Sequence, residues 1–191
     1  MRRVRAILRS MIVVGVVGFV AGAGTFADFS NTTGNNGNTF AAGTVVLDDN
    51  DAGSAMWTVG NRIPGDSVTT CIRLTYTGTL GADVKLYSLS AIDTVDQYLD
   101  LTVQKGSMPG GTTFPGCTGF SSESTIYSGT LQNFKASNGS YLSGVGANPG
   151  AQTRWDKNDT LVYRFTVTLQ NATGAQGLSS TTGFTWEARN Q

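Results

Sequence analysis

The sequence predicts an all-β fold, an antiparallel jelly-roll-like β-sandwich, because apolar and polar residues alternate in short stretches between turns. The clearest stretches are residues 68–76 and 161–169, where every second residue is apolar apart from Thr70. One face of such a strand packs on a core while the other meets solvent, which is typical of antiparallel sheets. After the first 27 residues, no window of helical length carries an apolar stripe of helical period. Several short strands with regular turns favour a sandwich over an α/β fold.

Each predicted strand follows from its own pattern and from the turn residues beside it. The Pro64-Gly65-Asp66-Ser67 turn introduces the strand at 68–76, and Gly81 follows it. One turn of helix is the most that residues 91–98 can hold. In chain order, the predicted strands cover residues 39–47, 55–59, 68–76, 84–86, 99–103, 124–127, 161–169 and 184–188.

Residues 1–27 have the pattern of a cleaved export signal. Four arginines within the first nine residues precede an apolar run at 11–20. This run is about half of the roughly 20 residues that a membrane span needs, so cleavage is favoured over retention as an anchor. Small residues place the cut between Ala27 and Asp28, with residues 21–23 as an alternative site. The mature protein is predicted to be secreted, extracellular or at the cell surface.

Charge excludes two classes of partner. The signal holds four of the 13 Lys and Arg residues and none of the 13 acidic residues, so the mature chain has a net charge of −4. Nucleic-acid binding needs a basic surface, and attachment to anionic lipid needs basic residues. We therefore expect no nucleic-acid partner and no membrane association after cleavage.

The two cysteines, Cys71 and Cys117, are predicted to form one disulfide. An oxidising compartment favours this bond over the alternative of two free buried thiols. Cys71 alternates with Ile72, so it should point away from the main core. Cys117 lies in the Pro- and Gly-containing loop 108–120. The bond is therefore predicted to hold this loop on the outer face of the sheet.

Residues 28–37 are predicted to be a flexible N-terminal segment before the sandwich domain at 38–191. The stretch 31–38 contains only Asn, Thr and Gly, a composition that cannot form a packed core. Two interpretations remain open. The segment is either a frayed terminus without a role, or a strand that is donated to another molecule.

The chain offers little for catalysis, and no catalytic residue or cofactor is predicted. It contains no histidine, so neither a His-based triad nor a His-containing zinc motif can form. Asp48, Asp49 and Asp51 are a weak calcium candidate, because carboxylate oxygens suit Ca²⁺. The spacing does not match an EF-hand loop, and a solvated Asp/Asn turn is the favoured alternative. Glu187 is interpreted as a surface glutamate.

Tryptophans offer the only pattern for glycan binding, since an indole ring can stack on a sugar. Trp186 shares a strand face with Phe184, which predicts core packing. Trp57 and Trp155 are predicted to be partly buried. A monomeric binding module for a cell-surface glycan or protein is therefore an alternative function.

Three segments resemble the TasA/camelysin family of exported proteins. They are Gly24-Thr25-Phe26-Ala27-Asp28-Phe29-Ser30 at the cleavage site, the strand Asn38-Thr39-Phe40-Ala41-Ala42-Gly43-Thr44-Val45-Val46-Leu47, and the Pro64-Gly65-Asp66-Ser67 turn. The resemblance covers the first quarter of the chain and that turn. The cysteine pair departs from cysteine-free members of the family.

The resemblance implies a dedicated signal peptidase during export and a structural role in surface or biofilm-matrix fibres. The partner is then the protein itself, as a homopolymer that grows when an N-terminal segment adds as a strand to the next subunit. Phe29 would be the apolar anchor of this donor, and Phe40 in the following strand is also assigned to assembly. Some camelysin relatives are described as metallo-endopeptidases. That activity does not carry over, because no histidine is present to receive it.

Overall fold

The computed structural model describes residues 30–34, 45–54, 56, 63–111, 113–175 and 178–191. These residues contain nine strands and one short α-helix. In chain order the elements are β1 (Ser30–Gly34), β2 (Leu47–Asp49), β3 (Ser67–Tyr76), β4 (Ala82–Tyr87), a 3-10 helix (Thr94–Tyr98), β5 (Leu99–Ser107), β6 (Ser121–Thr130), α1 (Leu131–Ser137), β7 (Val145–Gly146), β8 (Thr160–Leu169), a second 3-10 helix (Thr173–Ala175) and β9 (Thr185–Asn190).

The strands form two antiparallel sheets that pack face to face, which confirms the predicted sandwich. One sheet has the order β1-β9-β4-β7, and the other has the order β2-β3-β8-β5-β6. Strand β1 lies beside β2 along one side of the sandwich, and β6 lies beside β7 along the other. Because β8 sits between β3 and β5, strands distant in sequence build the centre of the larger sheet.

The core between the sheets uses the apolar side of each alternating strand. Tyr163 and Phe165 of β8 meet Trp186 of β9, with ring centroids 5.7 Å and 5.9 Å from the Trp186 ring. Phe184 joins this group 4.7 Å from Phe165. These rings are fully buried and meet at tilted or edge-to-face angles, arrangements that aromatic pairs prefer. The prediction of which β8 residues face the core is therefore confirmed.

Helix α1 was not predicted, because its seven residues are too few to show a helical period. The Thr130 hydroxyl accepts a hydrogen bond from the amide of Asn133, a typical N-cap. Phe134 anchors the helix in the core, 5.4 Å from the Phe184 ring. The predicted turn of helix within 91–98 is present as the 3-10 helix Thr94–Tyr98.

The N-terminal segment contributes a strand to its own domain. Residues 30–34, part of the segment expected to be flexible, pair with β9 as strand β1. Strand pairing uses main-chain groups, so a polar and Gly-containing stretch can take this position without apolar side chains. The remainder of 28–37 lies outside the described residues.

Candidate functional site

The edge formed by β1 and β9 is the first candidate site. Strand β1 pairs antiparallel with β9 from Ser30 opposite Arg189 to Gly34 opposite Thr185. The other edge of β9 is paired with β4 over six residues, so β9 is an inner strand only because β1 covers it. Without β1, a row of β9 main-chain groups would be open to another strand, which is how edge strands recruit partners.

The outer face of β9 carries a buried carboxylate. Glu187 is 6% exposed, so its interpretation as a surface glutamate is wrong. Its side chain accepts a hydrogen bond from the Tyr87 hydroxyl at 2.7 Å and one from Arg189 Nε at 2.8 Å. The Arg189 guanidinium lies 4.1 Å from the centre of the Tyr141 ring, in a cation–π contact. This cluster buries the carboxylate on the outer face of β9, the strand that pairs with β1.

The acidic residues Asp48 and Asp49 of β2 and Asp51 of the following turn do not converge on one point. Asp48 is exposed on one side of the strand and accepts a hydrogen bond from the Thr77 hydroxyl. Asp49 Oδ1 instead accepts the amide of Asp51 at 3.2 Å. Within the described parts of the chain, no three His, Cys, Asp or Glu side chains form a group that could hold a metal. The site of three aspartates anticipated from the sequence is therefore not assembled.

Asp51 has a distinct environment within this turn. Ala52 and Gly53 have positive φ angles of 52° and 76°, and this left-handed bend folds Asp51 inward until it is 3% exposed. Its Oδ1 accepts the amide of Gly53 at 2.7 Å, and its side chain is also hydrogen-bonded to the carboxyl group of Asp49. Burial, together with the adjacent Asp49 carboxyl, raises the pKa of Asp51 to about 6. In the solvated Asp/Asn turn that the sequence favoured, this carboxylate would instead be exposed to water.

The Cys71–Cys117 disulfide is present and fastens the 108–120 loop as predicted. The two Cα atoms are 5.2 Å apart. Cys71 is fully buried on the outer face of the larger sheet in a small cluster with Met108 and Val162. The Cys71 amide donates to the Pro115 carbonyl at 3.0 Å, so the loop also covers part of the open edge of β3. The outer-face placement of Cys71 is confirmed.

A buried ion pair joins helix α1 to the first 3-10 helix, and sequence reasoning did not find it. Lys135 Nζ lies 2.8 Å from Asp96 Oδ2, and both side chains are fully buried. The ammonium also donates to the carbonyls of Ala91 and Thr181. Because these acceptors come from residues 91–96 and from residue 181, the lysine on α1 holds two segments that are distant in sequence together. Nothing in the local sequence marks a lysine at position 135 for burial.

The tryptophans give no sugar-stacking platform among the described residues. Trp186 is buried in the core as predicted. Trp155 is fully buried as well, and its Nε1 donates to the Ala147 carbonyl at 2.7 Å, so the expectation of partial burial is wrong. The cause is an isolated antiparallel β-bridge between the main chains of Trp155 and Ala82, which holds Trp155 beside the first residue of β4. Trp57 lies outside the described residues.

Several predicted site residues also lie outside the described residues. They are Ala27 and Asp28 at the cleavage site, and Phe29 and Phe40 assigned to assembly. Within the described ranges, the structure contains no helix with the length and apolarity of a membrane span.

Comparison with known proteins agrees with the resemblance seen in the sequence. The family model described as camelysin metallo-endopeptidase matches residues 5–101, just over half of the 191 residues. Curated proteins give no significant match. The matched region includes the predicted cleavage-site motif, β1, β2, the Pro64 turn, β3, β4 and the first three residues of β5. The chain therefore belongs to the camelysin family.

Proposed function

We propose that this protein is secreted and non-enzymatic, and that it assembles into surface or biofilm-matrix fibres. Each subunit adds its N-terminal strand to the next subunit. Family membership, the export pattern of residues 1–27 and a disulfide suited to an oxidising compartment support this proposal.

The observation that carries the proposal is the pairing of β1 with β9. Five residues near the N-terminus occupy the edge of the smaller sheet, and among the strands that the structure describes they pair with β9 alone. The same antiparallel register can be taken by residues 30–34 of another copy. Exchange of an identical element between subunits reproduces the same contacts, so it has a low energetic cost. A head-to-tail exchange continues into an open filament when its rotation does not close a ring, and we propose this open form.

Strand β1 can dock on β9 of its own chain or on β9 of another copy. The length of the segment between β1 and the rest of the domain decides how strongly the first arrangement competes with the second. Ten residues separate Gly34 from Val45, which fully extended span at most about 33–36 Å. Because this segment is short, the effective concentration of the chain's own β1 beside its own β9 is about millimolar. At micromolar protein, assembly therefore needs a contact that only the exchanged form makes. Phe29, immediately before β1, is the large apolar residue placed to supply it.

A size measurement tests the role of the segment. The chain beginning at Asp28 and the chain beginning at Asn38 are compared by light scattering over hours at rising concentration. Growth into large assemblies by the longer form alone supports the fibre subunit. Circular dichroism serves as the control, because it tests whether the shorter form, which lacks β1, is still folded. Two folded, lasting monomers would refute assembly through this segment and favour the monomeric binding module.

Mixed cysteine variants test the register. Gly34 lies opposite Thr185 across the β1–β9 pair. A disulfide between chains carrying Gly34→Cys and chains carrying Thr185→Cys requires exchange in this register. Thr69→Cys, exposed on β3 of the other sheet, is the matched control partner and should give no such link. Equal linking with both partners would contradict docking at β9.

The non-enzymatic part of the proposal rests on residue types. A metallo-endopeptidase holds Zn²⁺ with histidine or other strong ligands and activates a water on it. This chain contains no histidine. We expect the purified protein to leave casein uncleaved with or without added Zn²⁺. Cleavage that a chelator abolishes and Zn²⁺ restores would overturn the assignment.

A further inference from the structure

A cavity of about 280 Å³ lies on the outer face of the larger sheet, beside the loop that the disulfide fastens. Its floor is Val162 of β8 and Gly106 of β5, which lie opposite each other in the sheet. Arg73 of β3 faces Val162 from the other side and forms one wall. Met108 and Pro109, at the start of the loop, form the other wall. The cavity is therefore built from three strands and a cross-linked loop.

Arg73 is the charged residue that lines this cavity, and the turn at 108–111 holds it in place. Its guanidinium donates to the Met108 carbonyl at 3.0 Å, and the same carbonyl accepts the amide of Gly111 at 3.1 Å. A guanidinium carries five N–H donors in a planar fork. Among the described residues, no second group accepts a hydrogen bond from this side chain. Most of its donors are therefore available to a ligand.

The positive charge of Arg73 has no counter-ion in the described parts of the chain, where no carboxylate forms an ion pair with it. All acidic residues of the chain except Asp28 belong to these parts. By contrast, Arg154 and Arg189 each pair with a carboxylate two positions away. A charged side chain that is partly removed from water is usually paired, so the half-buried Arg73 favours an external anion.

We propose that this cavity binds the carboxylate group of a small organic acid, with Arg73 as the charged contact. The fork of a guanidinium matches the two oxygens of a carboxylate. Ser107 and Thr160 also line the cavity, and their hydroxyl groups are further hydrogen-bond donors. A single positive charge suits a monoanion better than a phosphate dianion. The site is independent of fibre assembly, because β1 docks on the other sheet.

The apolar part of the cavity limits the size of the acid. Met108, Pro109 and Val162 present hydrocarbon surface beside the guanidinium. Pockets for drug-sized ligands begin at about 300 Å³, so this one suits a single ring or a short chain. Ser107, Pro109 and Thr160 are exposed, and the cavity is therefore open to solvent. The carboxylate can come from a free acid or from an acidic sugar of a polysaccharide.

Saturation-transfer NMR tests the proposal, because it observes the ligand and works with monomeric and assembled protein alike. Glucuronate is titrated at about pH 7, where its carboxylate is ionised, into the chain beginning at Asp28. Glucose, which lacks the carboxylate, is the matched control ligand. We expect a dissociation constant of about 1 mM for glucuronate, as for a ligand of its size, and at least about tenfold weaker binding of glucose. Propionate distinguishes the two sources. Equal binding of propionate supports the site for a free acid, and weaker binding supports it for an acidic sugar.

Arg73→Gln should weaken glucuronate binding at least about tenfold, because it removes hydrogen bonds between charged groups. Arg154→Gln is the matched control variant, since it removes the same charge from an exposed ion pair, and it should change affinity by less than about twofold. If circular dichroism shows that Arg73→Gln is unfolded, Arg73→Lys decides the question. It keeps the charge but lacks the planar fork, and it should weaken binding at least about threefold.

Four results would overturn the proposal. Glucuronate could fail to bind up to about 20 mM, far above the expected dissociation constant. Glucose could bind as well as glucuronate, which would remove the role of the carboxylate. Inorganic phosphate could bind more tightly than glucuronate, which would contradict the choice of a monoanion. Equal losses in the Arg73 and Arg154 variants would indicate diffuse electrostatic attraction instead of a site.

Discussion

Replacing Cys117 with alanine tests how the disulfide stabilises the domain. The variant removes the bond but leaves Cys71 in its buried cluster with Met108 and Val162. The bond links residues separated by 46 positions, and the chain-entropy model then gives a stabilisation of about 4 kcal/mol at 25 °C. We expect the free energy of unfolding to fall by about this amount, because the unfolded chain regains freedom.

Urea unfolding followed by tryptophan fluorescence measures the loss. With a slope of about 2 kcal/mol per molar urea, typical of small domains, the midpoint should fall by about 2 M. Wild-type protein kept reduced is the matched control and should show the same loss. Hydrogen exchange adds a local readout, since the Cys71 amide, which donates to Pro115, should lose protection while the central strand β8 retains it.

Two results would refute this reasoning. A loss below about 1 kcal/mol would mean that the entropic stabilisation is offset by strain or by residual structure in the unfolded chain. Retained protection at the Cys71 amide would mean that the 108–120 loop is held by its other contacts. Among these is the hydrogen bond from Arg73 to the Met108 carbonyl.

Three further substitutions follow from the structure. Phe29→Ala should slow fibre growth while leaving the thermal unfolding of the monomer unchanged, and unaltered growth in light scattering would count against its role as an anchor. Tyr163→Phe should stabilise the domain by about 1 kcal/mol in urea unfolding, because it removes a buried hydroxyl without a partner; Tyr76→Phe is the control and should be destabilising, since its hydroxyl donates to the Leu80 carbonyl. Lys135→Met should lower the free energy of unfolding by about 3–5 kcal/mol, because it leaves the Asp96 carboxylate buried without its ion-pair partner. Adding Asp96→Asn should recover part of that loss in urea unfolding. Equal stabilities of the single and double variants would contradict this account.

The alternation in the sequence was sufficient to predict most of the larger strands. Residues 68–76 and 161–169 correspond to β3 and β8 almost residue for residue. A period of two is a local property, and a strand that is buried on one face displays it without reference to its neighbours. Helix α1 was not predicted, because its seven residues hold fewer than two helical periods.

Burial of polar residues could not be predicted in the same way. Glu187 stands on the outward side of an alternating strand and Asp51 in a polar turn, positions that favour exposure, yet both are buried. Tyr141 and Arg189 cover the region of Glu187, and a left-handed bend at Ala52 turns Asp51 inward. These causes come from residues brought close by folding or from backbone conformation, and neither leaves a periodic pattern in the sequence.

By itself, the sequence determined the fold class, the faces of the main strands, the disulfide partners and the family. Local alternation, the presence of only two cysteines and the three segments at residues 24–30, 38–47 and 64–67 are sufficient for these conclusions. Only the tertiary structure decided the strand order, the docking of residues 30–34 on β9, and the environments of Asp51 and Lys135. These features depend on which distant segments meet, and alternation fixes the face of a strand but leaves its neighbours open.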